Sequence, residues 1–454
     1  MRIKKITVKN LFGIFNHEIP LNTKEHITII HGPNGYGKTI LLAMLKALSN
    51  ADYFKFWSIP FDEFVIEFDN SDKLKVLKSR VDPGEEENNS IQDIRVEYTP
   101  VQGGQGKVLE VGSLMTALEN GIQKSIFERF VPNLRQVDGE RWYYLPSNEM
   151  LSFPEVVERF GQTLPLRYRI GSSLKKPDWA LELNDNFEIH LIETQRLLSF
   201  SQKSTYFTSV ESNFRKSDRP LPSILVYSEE LQKAIREKLA EYGSISQKLD
   251  RTFPTRLVKS NRKNSSDFKH LRKNLEKLEV KRSQLISVGF LEKEDDIDFN
   301  ELNKIDESDL NVLSVYVDDV EQKLSVFDDL TDKIDLLVKI INSRFLYKTL
   351  SISKHEGFVF TSSNGKMIPL AGLSSGEQHE LVLLYKLLFR TRPDNLVLID
   401  EPEMSLHVVW QRKFLKDLQE ITKIVDFDVL IATHSPSIIN DRMDLAVGLE
   451  GPED

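Results

Sequence analysis

The sequence reads Gly-Pro-Asn-Gly-Tyr-Gly-Lys-Thr over residues 32–39, and no other stretch constrains the fold as strongly. It follows a short aliphatic run, His26–His31, and precedes apolar residues at helical spacing between Ile40 and Leu48. A strand, a glycine-rich loop and a helix in this order are typical of the phosphate-binding motif G-x-x-x-x-G-K-[ST]. Glycines let backbone amides approach phosphate oxygens, and the helix directs its positive end at them. The sequence therefore predicts an α/β nucleotide-binding fold.

Two side chains of this loop have specific predicted roles. We expect Lys38 to reach the β- and γ-phosphates of a nucleotide, and the Thr39 hydroxyl to ligate magnesium. The nucleotide-binding residues that the motif predicts are Gly32, Pro33, Asn34, Gly35, Tyr36, Gly37, Lys38 and Thr39.

A second aliphatic run, Asn395–Ile399, ends in the acidic pair Asp400-Glu401. Ligands of open α/β sheets bind at the carboxyl edge of the strands, where such a pair would lie. We expect Asp400 to hold magnesium and Glu401 to act as general base on the attacking water. An isolated acidic pair is usually a solvated surface feature, but this one follows a buried-type strand and accompanies a phosphate loop. The two motifs together predict nucleotide hydrolysis.

A third motif, Leu373-Ser-Ser-Gly-Glu377, precedes an apolar helical stretch that extends to Phe389. Ser374 and Gly376 would then lie at a helix N-terminus, where a hydroxyl and backbone amides attract an anion. The alternative is an ordinary helix cap. The motif has no evident role in the nucleotide site unless it reaches a nucleotide held by another copy of the chain.

Two more polar side chains end predicted strands. His434 follows the strand Asp428–Ala432 and would hydrogen-bond the γ-phosphate. Gln195 follows the strand Glu188–Glu193 and would orient water and magnesium. Each residue alone is more often structural, so both predictions depend on the neighbouring motifs.

Two regions depart from the phosphate-loop pattern. Short alternating runs between residues 62 and 111 predict an antiparallel sheet. Between about residues 223 and 344 the pattern becomes helical, and it indicates either a pair of helices packed along a seam or a helical bundle with a core stripe. The apolar residues at 4-3 spacing there are Leu313, Val317, Val320, Leu324, Phe327, Ile334, Val338 and Ile341.

Charge is unevenly distributed within the helical region. Residues 250–285 carry about +7 and residues 291–335 about −12. One interpretation is that the two stretches neutralise each other across a hairpin. The other is that the basic segment 251–282 contacts DNA. The main candidates for this contact are Arg251, Arg256, Lys259, Arg262 and Lys263.

Composition excludes several classes of protein. A net charge of −9 argues against a protein that binds nucleic acid over most of its surface, because such proteins are usually basic. The absence of cysteine excludes disulfides and thiolate metal sites. No apolar run approaches the roughly 20 residues that a membrane span needs, so we expect no membrane contact and a cytoplasmic location.

The order of these motifs resembles the ABC-type ATPase heads of the RecF, SMC and OLD group. In that family's terms the loop at residues 32–39 is the Walker A motif and Asp400-Glu401 is the Walker B pair. The remaining correspondences are Gln195 with the glutamine loop, Leu373–Glu377 with the signature, His434 with the switch histidine and Ser405-Leu-His407 with the dimer-contact loop. One departure is Ser375, which occupies a position where the family has glycine.

The resemblance implies a fold, cofactors and a partner. The fold would be a P-loop ABC-type ATPase head, a mixed sheet with helices and an antiparallel β subdomain, interrupted by a short helical or coiled-coil insert. The implied domains are an N-terminal lobe at 1–222, the insert at 223–345 and a C-terminal lobe at 346–454. ATP and Mg²⁺ would be the cofactors. ATP would join two copies, with Ser374 and Gly376 of one copy closing over the nucleotide of the other.

Three strings are similar to the ATPases of bacterial anti-phage systems, namely Ile192–Leu197, Ser374–Leu381 and Ala432–Asn440. The Septu ATPase family (PtuA) is the first candidate and the PARIS ATPase family (AriA) the second. This resemblance implies larger oligomers of dimers and a separately encoded nuclease or toxin effector, HNH-type if the system is Septu-like. Because about 20 residues of the sequence follow His434, we expect no OLD-type nuclease domain.

Two alternatives remain at this point. One is a RecF-like repair or recombination ATPase that acts directly on DNA. The other is a scaffold that binds ATP with little hydrolysis and mainly sequesters a toxin.

Overall fold

The structure is a computed structural model of the chain. It describes residues 1–81, 91–101, 105–111, 125–137, 141–161, 178–193, 223–260, 268–291, 307–404 and 406–451. Its contacts divide the chain into two compact units. The first combines residues 1–194 with 391–454, and the second comprises residues 195–390. The predicted domain boundaries at 222 and 345 stay predictions.

The strands and helices are numbered in chain order. The strands are β1 (Ile3–Leu11), β2 (Phe15–Pro20), β3 (Ile27–His31), β4 (Glu63–Phe68), β5 (Lys73–Val81), β6 (Ile91–Thr99), β7 (Lys107–Glu110), β8 (Leu134–Gln136), β9 (Arg141–Tyr144), β10 (Glu149–Ser152), β11 (Ile189–Glu193), β12 (Lys348–Ser353), β13 (Gly357–Ser362), β14 (Met367–Ile368), β15 (Leu396–Asp400), β16 (Asp428–Thr433) and β17 (Ala446–Gly448). The helices are α1 (Lys38–Ser49), α2 (Ser125–Phe130), α3 (Phe153–Phe160), α4 (Asp178–Asn186), α5 (Ser223–Ser260), α6 (Phe268–Ser287), α7 (Glu307–Leu324), α8 (Asp328–Arg344), α9 (Ser375–Tyr385), α10 (Val408–Val425) and α11 (Pro436–Ile439).

A parallel sheet in the first unit places the motifs side by side. Its strand order is β11-β15-β16-β3-β17, and neighbouring strands all run parallel. Every residue of β16 is buried, as are the first four residues of β15, which explains why these strands are continuous aliphatic runs. The carboxyl ends of β3, β15 and β16 therefore meet at one edge of the sheet.

An antiparallel sheet in the same unit supports the phosphate loop. Its strand order is β2-β1-β4-β5-β6-β7, which confirms the antiparallel subdomain predicted between residues 62 and 111. Alternate residues of β1 are buried, among them Ile6 and Val8, and they pack in one core with Leu41 and Leu45 of α1. The predicted mixed α/β fold with a helical insert is confirmed.

In the described part of the insert, four helices of the second unit are present, α5 to α8. Helix α7 packs against both α5 and α6, as in a helical bundle. A 3-10 turn at Ser325–Phe327 separates α7 from α8. The 4-3 series continues through this turn, with Phe327 and Ile334 buried, but α8 also buries Leu336, Leu337 and Ile340. Its apolar face is therefore wider than the seam of a two-helix coiled coil.

Ion pairs link the basic and acidic stretches of the insert. Arg256 on α5 binds Asp319 on α7 through both carboxylate oxygens, with one contact of 2.7 Å. Nζ of Lys281 on α6 lies 2.5 Å from Oδ1 of Asp328 on α8. Mutual neutralisation is thus observed at these positions. Arg262 and Lys263 lie outside the described residues.

The signature motif belongs to the second unit. Strands β12, β13 and β14 form an antiparallel sheet, and Leu373 and Ser374 lead from it into α9. Helix α9 buries Glu380 against Arg344 of α8 in an ion pair with both side chains 1% exposed. A π-helical turn at Lys386–Arg390 continues the predicted helix to Phe389. None of the helices that the structure describes is long and apolar enough to cross a membrane.

Candidate functional site

The phosphate loop connects the buried strand β3 to α1, as the sequence predicts. Gly37 has φ +84°, and a Cβ atom built on it would lie 2.5 Å from Cδ2 of Leu11. Gly35 also has a left-handed φ of +88°, but a Cβ atom there would meet nothing within 4 Å. Glycine is therefore favoured at both positions by conformation, and at Gly37 an added Cβ atom would also have to displace the buried Leu11 side chain.

Lys38 folds back over its own loop. Its Nζ donates to the carbonyl oxygens of Gly32 at 2.8 Å and Pro33 at 3.0 Å, and lies 3.4 Å from Nδ1 of His434. Burial lowers the pKa of Lys38, although the carboxylates of Glu401 and Asp400 act in the opposite direction. The ammonium group thus lies among the residues that we expect to contact the γ-phosphate.

The side-chain oxygens of Thr39 and Asp400 lie close together. The Thr39 hydroxyl donates to Oδ1 of Asp400 across 3.3 Å. Burial raises the pKa of Asp400, and the hydrogen bond from Thr39 only partly offsets this effect. A divalent cation would favour the ionised carboxylate, and Mg²⁺ prefers such oxygen ligands together with phosphate and water. The residues at this position therefore fit magnesium. Among the described residues no group of three or more histidine or acidic side chains forms a complete metal site.

Glu401 adopts a left-handed backbone conformation, with φ +44°. Its backbone N–H donates to the carbonyl oxygen of Ala432 at 2.8 Å, which ties the end of β15 to β16. Its Oε1 lies 3.9 Å from Nε2 of His434. A positive φ is uncommon for a residue other than glycine and occurs often at functional sites. With this conformation the Glu401 and His434 side chains lie at the same edge of the sheet.

Glu403 is a site residue that the sequence analysis missed. Its Oε1 accepts hydrogen bonds from the Thr433 hydroxyl at 2.8 Å and from the backbone N–H of His434 at 2.9 Å. Its Oε2 is buried and has no hydrogen-bond partner among the described residues. Glu403 therefore fixes the backbone that carries His434. A second glutamate two residues after an acidic pair was the available signal.

Gln411 on α10 is a second missed residue. Its Nε2 donates to the carbonyl oxygens of Glu403 at 3.2 Å and Leu406 at 3.1 Å, and its Oε1 accepts from the Ser435 hydroxyl at 3.2 Å. Gln411 is buried. It therefore connects the segment after the Walker B pair to the segment after β16.

The signature motif caps α9. The Ser374 hydroxyl accepts from the backbone N–H of Glu377 at 3.3 Å, and the Glu377 carboxylate accepts from the backbone N–H of Ser374 at 2.8 Å. The helix cap, which was one of the two interpretations of this motif, is thus present. A Cβ atom at Gly376 would meet nothing within 4 Å, so no internal contact requires glycine there. An open glycine beside a capping serine is compatible with an anion that approaches from outside.

The structure brings together part of the predicted site. Lys38, Thr39, Asp400, Glu401 and His434 meet at the carboxyl edge of the parallel sheet. Ser374 and Gly376 lie in the other unit. Gln195 and Ser405 lie outside the described residues.

Solved structures similar to this chain include SMC head domains. One, from Pyrococcus furiosus, has an extended coiled coil and is bound to the C-terminal domain of ScpA; it is 12% identical, with a TM-score of 0.33, and the match covers 99% of this chain and 94% of that chain. The SMC head domain from Thermotoga maritima is 10% identical, with a TM-score of 0.30 and the same coverage. No curated protein matches the chain.

A protein-family model also matches most of the chain. The model described as "AAA ATPase domain" matches residues 1–439. This range contains the phosphate loop, Leu373–Glu377, Asp400-Glu401 and His434. The chain belongs to the AAA ATPase domain family.

Proposed function

We propose that this ATPase is a magnesium-dependent ATP hydrolase of the ABC type, which pairs through ATP and regulates a separately encoded effector. The observation that carries the proposal is the convergence of Lys38, Thr39, Asp400, Glu401 and His434 at one sheet edge. These residues supply a phosphate-binding cation, two oxygen ligands, a general base and a hydrogen-bond donor. Enzymes that transfer a phosphoryl group to water commonly use groups of these kinds.

Each side chain has one role in the proposed reaction. Lys38 exchanges its loop carbonyl partners for phosphate oxygens. Glu401 orients the attacking water and accepts its proton, while His434 donates a hydrogen bond to the γ-phosphate. Thr39 and Asp400 would hold Mg²⁺, which when bound neutralises phosphate charge. Gln195 is proposed to orient the same water.

Hydrolysis is tested with Glu401→Gln and Lys38→Ala. We expect Glu401→Gln to keep ATP binding and to lower turnover at least about 100-fold, because the base is lost. Lys38→Ala should weaken ATP binding itself. Unchanged turnover in Glu401→Gln would remove Glu401 from the role of base.

Pairing through ATP is supported by the open geometry at Ser374 and Gly376. In the proposal, the Ser374 hydroxyl and the Gly376 amide of one copy contact the triphosphate held by Lys38 of another. Ser374→Arg should abolish ATP-dependent pairing, measured by light scattering, and spare ATP binding to a single copy. Loss of both properties with a lower melting temperature would indicate misfolding instead.

The effector part of the proposal is supported by the three strings that resemble anti-phage ATPases. We propose a cytoplasmic complex with a nuclease or toxin encoded beside this chain, in assemblies of dimers. The test is co-purification with the neighbouring gene product, followed by phage plating on cells that carry wild-type protein or Lys38→Ala. Protection by both proteins alike would contradict ATP-dependent regulation.

Direct action on DNA is the second candidate. It is favoured by Arg251 and Lys259, which are exposed on α5. It is weakened at Arg256, which is paired with Asp319. If this candidate is right, Arg251→Glu with Lys259→Glu should abolish salt-dependent DNA binding. The same loss would contradict an effector-only role.

A further inference from the structure

The signature motif carries a negative charge where the proposed pairing brings a triphosphate. Glu377 lies in the first turn of α9, three residues after Ser374. An uncompensated carboxylate at this position would repel the phosphates of the second copy. A matching positive charge nearby would therefore be needed for pairing.

Lys348 supplies that charge. It is the first residue of β12, and its Nζ contacts Oε1 of Glu377 at 2.8 Å and Oε2 at 2.7 Å. Pairing of Lys348 with Ser362 across β12 and β13 fixes the backbone position. The Lys348 and Glu377 side chains are 24% and 13% exposed, so solvent screens this ion pair less than an ordinary surface pair.

The same carboxylate holds the signature serine. Glu377 Oε2 accepts from the backbone N–H of Ser374 at 2.8 Å and from its hydroxyl at 2.9 Å. Burial alone would raise the pKa of Glu377, but hydrogen bonds from Lys348 and Ser374 lower it overall. Lys348, Glu377 and Ser374 thus form one connected group at the start of α9.

We propose that Lys348 is a positioning residue for the trans-acting signature, which neutralises Glu377 and keeps its carboxylate on Ser374 while a second copy presents its nucleotide. The inference rests on the proposed ATP-dependent pairing and adds a residue to it. Lys348 itself contacts neither nucleotide nor water in this proposal.

The test is a charge-rescue cycle in full-length protein that carries Glu401→Gln, so that hydrolysis does not dissolve the pairs. The variants are Lys348→Met, Glu377→Gln and the double variant. Lys366→Met is the matched control, since Lys366 is an exposed lysine of the same small sheet region. The dimer dissociation constant with Mg-ATP is measured by analytical ultracentrifugation, and single-copy ATP affinity with a fluorescent ATP analogue.

We expect Lys348→Met to weaken pairing about 10-fold or more, since like charges would then face each other. Glu377→Gln should pair at least as tightly as the parent, because glutamine also completes a capping box. The double variant should recover to within about 3-fold of the parent, a difference below about 1 kcal/mol. Single-copy ATP affinity should not change between Lys348→Met and Lys366→Met.

Two results would overturn the inference. One is a Lys348→Met protein that pairs like the Lys366→Met control. The other is a double variant as weak as Lys348→Met, which would show that Lys348 acts through packing and not through charge. Absence of ATP-dependent pairs in the parent would instead overturn the proposed function, and this is measured before any variant is compared.

Discussion

At the scale of single residues, the site depends on conformations that the sequence pattern only partly reveals. The positions of the glycine loop, Asp400, Glu401 and His434 in the fold could be predicted, because each follows or ends a strand whose aliphatic residues are unmistakable, whereas their roles stay predictions. The spacing of Glu403 from the acidic pair is visible in the sequence, but its role could not be predicted from it, because its bonds to Thr433 and His434 depend on how β15 and β16 align. That alignment is a property of the sheet and not of any local motif.

Glu403 provides a test at this scale. Glu403→Ala leaves the Thr433 hydroxyl and the His434 amide without their acceptor, which commonly costs about 1–3 kcal/mol. We expect the turnover number for ATP to fall about 10-fold or more with little change in KM, because His434 loses its position. Glu403→Gln keeps an acceptor, so its turnover number should lie between those of the wild-type protein and Glu403→Ala. A change in KM as large as the change in turnover number, or no change in either, would contradict a positioning role.

The two left-handed glycines of the loop form a matched pair. Gly35→Ala should destabilise the protein by about 1 kcal/mol through backbone conformation alone. Gly37→Ala adds the 2.5 Å contact with Leu11 and should cost clearly more. Urea unfolding measures both free energies. Equal losses would show that the antiparallel sheet does not constrain the loop at Gly37.

At the scale of secondary-structure elements, buried parallel strands were the most predictable feature. The predicted strands His26–His31, Asn395–Ile399 and Asp428–Ala432 agree with β3, β15 and β16 to within one residue at each end. The helical insert was less predictable. Its 4-3 apolar series passes through the 3-10 turn before α8, so spacing alone did not show where α7 ends.

The ion pair between α5 and α7 makes the insert testable. Asp319 is buried, and Arg256→Ala would leave its carboxylate without the arginine partner. We expect a loss of about 1–3 kcal/mol in unfolding free energy, measured with urea. Arg251→Ala, on the exposed side of the same helix, should change it by less than about 0.5 kcal/mol. Equal effects of the two substitutions would indicate that Arg256 contributes only its positive charge and not a specific ion pair with Asp319.

At the scale of the whole molecule, we propose that two chains share each nucleotide site. In this proposal the first unit would supply phosphate binding and the base, and the second unit would supply its capped helix with an open glycine. The sequence could suggest this division, because Leu373–Glu377 has no evident role in the nucleotide site of its own copy. It could not identify Lys348, which lies 29 residues from its partner Glu377.

The most direct measurement is ATPase activity per chain as a function of protein concentration, with mass determined by light scattering in the same samples. If two chains complete each site, activity per chain rises with concentration and reaches a plateau where Mg-ATP dimers predominate. Constant, full activity per chain in samples that remain monomeric would contradict the shared site.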